Sequence, residues 1–227
     1  MNRNSAIRKG LALAALVGAF TLVSAARTEA AFVAWICNDA ACSGEVGITD
    51  NGVGDLSPVV GVILANGTTG GVEILFNLSS SKPVLADGMD LNFTAIDTSG
   101  GGTAWLYAAD TDFAGPQNLI GSIGGTADNG SVTGFICGGN NNSGPSPLNS
   151  NCVSGGPFGP GAFAGSVGPF SATANPYSLA LGVMVTLSGP GITTGDFRVV
   201  PEPLSIALFG LGLSGVAMYR RRRMQVQ

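Results

Sequence analysis

Val72-Glu73-Ile74-Leu75-Phe76-Asn77-Leu78-Ser79 decides the fold. Val72, Ile74, Phe76 and Leu78 fall on one side of an extended chain, and Glu73, Asn77 and Ser79 on the other. A period of two is the signature of a half-buried strand. Leu91, Phe93 and Ala95 alternate with Asn92 and Thr94 in the same way. Further strands are expected near Val59–Leu64, Thr103–Ala108, Leu119–Ile123, Ser131–Ile136, Tyr177–Leu187 and Asp196–Val199. Asn66-Gly67, Asp87-Gly88, Ser99–Gly102 and Asn129-Gly130 supply turn chemistry between them. Residues 32 to 200 hold 31 glycines and almost no Lys or Glu, which is poor helix material. Short strands at roughly ten-residue spacing predict a mainly β fold. The expected architecture is one antiparallel β-sandwich, jelly-roll or immunoglobulin-like, over residues 32–199.

Both flanks of that domain are apolar. Residues 1–31 read as a secretory signal peptide: Arg3, Arg8 and Lys9 form a basic start, and Leu11–Val23 is an apolar run too short to span comfortably. Small residues follow, with candidate cleavage sites after Ala25 and after Ala30. At the other end, residues 200–227 begin with Pro201-Glu202-Pro203. The prolines lack an N–H and fix φ, so they stop an arriving strand and can open a helix. Leu204 to Tyr219 carries no charge. As a helix it spans roughly 24 Å, just short of a hydrocarbon core of about 30 Å. Arg220, Arg221, Arg222 and Arg223 follow; their long stems reach the interface, and their charge holds that end in the cytoplasm. Everything before Pro201 then lies across the membrane.

The order Pro-Glu-Pro, apolar helix, arginine cluster resembles the PEP-CTERM sorting signal of exported proteins of Gram-negative bacteria. The resemblance covers only Pro201 to Arg223. It implies processing by exosortase, a membrane-embedded cysteine transpeptidase-like enzyme, with Pro201, Glu202 and Pro203 as the recognition motif. It further implies a precursor anchored in the inner membrane. The mature form is expected at the cell surface or outside the cell, in an exopolysaccharide or biofilm matrix. The resemblance is an address and is nearly silent about activity.

Charge and missing residues narrow the function classes. Residues 32 to 200 have two basic side chains, Lys82 and Arg198, against twelve acidic ones, a formal charge of −10. No cation cluster is present to replace phosphate counterions, which argues against nucleic acid as a partner. The chain has no histidine, which removes Ser-His-Asp and Cys-His nucleophiles and histidine-ligated zinc. A glycosidase built on a carboxylate pair, Asp110 with Asp112 or Asp87 with Asp90, stays formally open. The expectation is a protein that is not an enzyme. It is either a structural surface or matrix protein, or a carbohydrate-binding module.

Cys37, Cys42, Cys137 and Cys152 allow three pairings in an exported chain, and the local one encloses the smallest loops. Disulfides Cys37–Cys42 and Cys137–Cys152 are therefore expected, and a four-thiolate metal site is the alternative. Asp50-Asn51-Gly52-Val53-Gly54-Asp55 and Asp110-Thr111-Asp112-Phe113-Ala114-Gly115 gather hard oxygen ligands in expected loops. Asp50, Asp55, Asp110 and Asp112 are thus candidate calcium ligands, although neither segment is an EF-hand; Asx turns explain the same pattern. Trp35, Trp105 and Tyr107 are candidates for a sugar-stacking face, or for core. Val153 to Phe170, rich in Gly, Pro and Phe, reads as a loop packed over the sandwich by Phe158, Phe163 and Phe170.

Overall fold

A computed structural model describes residues 32–43, 45, 47–85, 88–115, 118–143 and 151–201. Their strands are β1 (Val33–Cys37), β2 (Ile48–Thr49), β3 (Val62–Thr69), β4 (Val72–Ser80), β5 (Met89–Asp97) and β6 (Gly102–Phe113). They continue with β7 (Asn118–Ala127), β8 (Gly130–Gly138), β9 (Cys152–Phe158), β10 (Gly161–Ser171), β11 (Tyr177–Leu187) and β12 (Gly191–Pro201). They form two six-stranded antiparallel sheets, ordered β2-β1-β6-β11-β8-β9 and β10-β7-β12-β5-β4-β3. This is the mainly β sandwich that the alternation predicts.

Side-chain alternation builds the shared core. Met89, Leu91, Phe93 and Ala95 of β5 are fully buried while the residues between them are half-buried. They pack with Ile74, Phe76 and Phe197 of the same sheet and Leu106, Leu181, Val183 and Val185 of the other. Each large apolar side chain so buried contributes about 1.5–3 kcal/mol. The last two strands occupy inner positions: β11 pairs with β6 and β8, and β12 pairs with β5 and β7. The first sheet is therefore complete only with β11, and the second only once the chain has reached the end of β12.

Part of the first sheet, at β1, β6 and β11, is buried on both sides. Residues 106 to 111 of β6 and 177 to 183 of β11 show no alternation of burial. Their outer side chains join a second cluster of Val33, Trp35, Cys37, Cys42, Tyr107, Ala109, Cys137 and Ala180. The Cys37–Cys42 loop covers it, and the Tyr107 hydroxyl donates to the Ala40 carbonyl (3.1 Å). Gly182 makes room for this layer, since a Cβ there would lie 2.5 Å from the Tyr107 ring.

Several local expectations change. Asn66-Gly67 lies inside β3; the hairpin turns instead at Gly70-Gly71, where φ is +53° and +81°. Glycine takes that conformation without steric cost. Ser79, expected to face outward, is buried, because the β4–β5 register shifts between Phe76 and Ser80 and reverses the facing. Residues 153 to 170 are not a loop: they form most of β9 and β10, and Phe158 stacks on Phe163 at 5.9 Å. Phe170 is buried in the main core. The segment from Asp110 to Phe113 is also strand, with a bulge: the β6–β11 register shifts between Tyr177 and Leu179, and Asp112 takes φ +60°.

Candidate functional site

Antiparallel pairing sorts the chain's connections to two ends of the sandwich. Phe32, residues 50–61, residues 81–85 and the end of β12 share one end. The Asp50 amide donates to the Phe32 carbonyl (2.9 Å), and the Ser81 amide to the Gly61 carbonyl (2.9 Å). β12 runs to Pro201, opposite Leu119 of β7, so ordered strand reaches the first residue of Pro201-Glu202-Pro203 without a linker. Chain entry and chain exit thus occur at the same end. Glu202, Pro203, residues 204–219, Arg220–Arg223 and residues 1–31 lie outside the described residues. Among the described residues no helix is long and apolar enough to cross a membrane.

Cys37 is joined to Cys42 and Cys137 to Cys152. Cys137 and Cys152 are direct cross-strand partners of β8 and β9, with Cα atoms 4.1 Å apart. The four aspartates singled out for calcium do not converge. Asp50 and Asp55 share one loop, but their oxygens accept its backbone amides: Gly61 to Asp50 Oδ2 (2.7 Å), Asn51 to Asp55 Oδ2 (2.8 Å), and Ser57 and Leu64 to Asp55 Oδ1 (2.9 and 3.0 Å). Asp112 is exposed and accepts from Asn142 Nδ2 (2.5 Å). Asp110 is buried, 3.5 Å from Lys82 Nζ, with the Ser81 hydroxyl donating to it at 2.6 Å. Burial pushes its carboxyl up, against the Ser81 hydrogen bond and the Lys82 charge. The Lys82 ammonium also donates to the Thr111 carbonyl and sits 4.0 Å above the Phe113 ring. Among the described residues, no three Cys, Asp or Glu side chains group as metal ligands.

Trp35 and Tyr107 belong to the covered second cluster, and burial pushes the Tyr107 hydroxyl up. Trp105 is half-buried beside Tyr107 and Phe135, with ring centroids 6.3 and 5.5 Å away. The three aromatics therefore gather on one face, but two of them are inside.

The feature that sequence reading missed lies on the outer face of the second sheet. A shallow open depression of about 310 Å³ is lined by Asn77, Asn92, Thr94, Gly124, Thr194 and Asp196, among others. Pairing puts Asp196 opposite Asn92 on one side and Gly124 on the other. Gly124 offers no side chain, so the row is open at that point. Asn77 Nδ2 donates to Thr94 Oγ1 (2.7 Å), which fixes both groups. Next along the strands, Asp90 stands opposite Arg198 and shares a hydrogen bond with Asp196. Burial first, then Asp196, pushes the Asp90 carboxyl up to about 7, with Arg198 opposing. These polar groups come from β4 and β5 and, about a hundred residues further along, from β12, so only the register unites them.

The fold and this surface define an antiparallel β-sandwich with an acidic, amide-lined outer face. The chain carries, at residues 199–223, a match to the PEP-CTERM protein-sorting motif. No curated protein matches the sequence. Among solved structures, the carbohydrate-binding module TmCBM61, in complex with β-1,4-galactotriose, is similar at 9% identity and a TM-score of 0.36. That match covers 66% of this chain and 92% of the other. A carbohydrate-binding module of the β-sandwich superfamily gives 12% identity, a TM-score of 0.36 and coverage of 68% and 64%. A module from Cellvibrio mixtus lichenase 5A, in complex with cellotriose, gives 10% identity, a TM-score of 0.28 and coverage of 63% and 88%.

Proposed function

We propose that this chain is an exported, non-catalytic surface protein. Its β-sandwich is held at the inner membrane by residues 204–219 until exosortase processes it at Pro201-Glu202-Pro203. The observation that carries this reading is the seam at Pro201: the sorting motif begins where an inner strand of a completed sandwich ends. With Arg220–Arg223 in the cytoplasm, the motif sits at the outer face of the membrane, and the domain stands directly above it. The mature protein is then a disulfide-bonded structural component of the cell surface or of an extracellular polysaccharide matrix. Replacing Pro201, Glu202 and Pro203 together by alanine tests this. Full-length precursor should accumulate in the inner membrane, whereas unchanged processing counts against it.

A second reading is favoured by the depression on the second sheet. Side-chain amides and a carboxylate present paired donors and acceptors of the kind that match neighbouring hydroxyls of a neutral saccharide. The Asp90–Asp196 hydrogen bond and the Arg198 guanidinium moderate local charge, which suits an uncharged ligand. In this reading the sandwich is a carbohydrate-binding module facing the exopolysaccharide. Retention on a polysaccharide resin, lost in Asn92→Ala with Asp196→Ala, is the expected result. Equal retention of the variant removes the depression from consideration. Loss of retention on adding chelator assigns a calcium requirement.

A further inference from the structure

Seven large apolar side chains are exposed among the described residues, and six of them are not randomly placed. Val53, Leu56, Val59 and Val60 stand on the 50–61 loop, Val84 on the next loop at the same end, and Ile120 beside Val200 near the end of β12. Only Ile192 lies at the opposite end. The end from which the chain leaves for residues 204–219 therefore gathers most of the exposed large apolar side chains, alongside Asp50, Asp55, Asp90, Asp110 and Asp112, of which Asp112 is exposed and Asp110 is buried.

The loops there are built to present these side chains. Asp50 and Asp55, the carboxylates of the first loop, turn their oxygens onto amides of Gly61, Asn51, Ser57 and Leu64, which leaves valines at the tip. Val59 and Val60 are about half exposed, at 51% and 50%, and Val84 at 52%. The two loops pack together, since a Cβ on Gly61 would meet the Lys82 carbonyl and the Pro83 ring. The Lys82 ammonium is directed inward to Asp110 and Thr111.

The tip is also flush with the exit. Pairing runs Val62 to Ser80, Ser80 to Asp90 and Asp90 to Arg198, so residues 59–60 stand level with the last residues of β12. Three strand spacings put them about 14 Å to one side. From Pro201 to Leu204 the chain reaches at most about 10 Å. The surface that Leu204 enters thus lies at most about 10 Å beyond the level of residues 59–60.

We propose that this end of the sandwich is a lipid-docking surface, with Val59, Val60 and Val84 seated in the headgroup layer of the bilayer that residues 204–219 enter. The proposal rests on the membrane reading of that segment. The occupant is a zwitterionic phospholipid surface, because a domain of formal charge −10 is repelled by an anionic one. Docking would hold Pro201-Glu202-Pro203 against the membrane face, where an embedded enzyme acts.

The test uses full-length protein reconstituted into phosphatidylcholine vesicles containing brominated lipid, with Val60→Trp, Val84→Trp and, at the far end, Ile192→Trp. Trp35 and Trp105 give the same background in all three. Flotation of the vesicles after an alkaline carbonate wash reports in the same sample whether the tail is inserted. Tail insertion with at least twofold stronger quenching at residues 60 and 84 than at residue 192 is the expected result. Tail insertion with equal, weak quenching at all three positions overturns docking and leaves the anchored reading standing. Blue-shifted emission at residue 60 that brominated lipid does not quench places that residue against this chain or a second copy of it, and also overturns docking. Protein washed off the vesicles overturns the membrane reading, and docking with it.

Discussion

Asp90→Asn turns the carboxyl pair on the second sheet into a number. In the folded chain the Asp90 carboxyl lies at about 7 instead of 3.8, because burial and Asp196 disfavour its charge more than Arg198 favours it. The folded state therefore binds this proton more tightly than the unfolded chain does. That contribution to stability is fully present below about pH 4 and declines as pH rises toward 7, leaving none above. A displacement of this size would be worth about 4 kcal/mol in a site closed to solvent. Asp90 is only half-buried, so screening reduces the expectation to about 1–2 kcal/mol. Asparagine keeps a donor toward Asp196 and carries no charge. Guanidinium denaturation at pH 8 should show the variant about 1–2 kcal/mol more stable than the parent, and the difference should shrink toward pH 5. A variant no more stable at pH 8, or a parent whose stability is flat between pH 5 and 8, would refute the reasoning.

Other substitutions probe the packing around the site. Lys82→Met removes the cation facing buried Asp110 and should cost about 3–5 kcal/mol in denaturation, most of it recovered by adding Asp110→Leu. Gly182→Ala forces a methyl toward the Tyr107 ring and should lose about 1–3 kcal/mol, read as a lowered melting temperature. Cys137→Ser with Cys152→Ser opens a loop of separation 15 and should cost about 3 kcal/mol in the chain-entropy model. A reducing agent should then have little further effect in the region of β8 and β9, checked by hydrogen exchange.

What was legible in the sequence follows from what a single strand can reveal. β5 alternates apolar and polar residues because one face meets the core and the other meets solvent, and that pattern survives in isolation. β11 shows no alternation over residues 177 to 183 because both its faces are covered there, one of them by a layer under a disulfide loop whose position no local pattern announces. β9 and β10 look like a packed loop in sequence: their Gly and Pro content outweighs the alternation of Phe163, Gly165 and Val167, and only pairing with β7 and β8 makes them strands. Asp110-Thr111-Asp112 looks like a loop because its composition is that of a turn, yet it is a bulged strand end fixed by Lys82 and Ser81. The depression uniting Asn92, Gly124 and Asp196 is a product of register, which composition and spacing do not carry. The sorting motif is the opposite case: its elements are contiguous, so the sequence displays them in full.

The most direct test of the central claim is the intact mass and cell fraction of the mature protein from its native host. The expected species begins near residues 26–32, ends near Pro201–Pro203, carries both disulfides and is recovered outside the inner membrane. A species that keeps Arg220–Arg223 and stays in the inner membrane would contradict that claim.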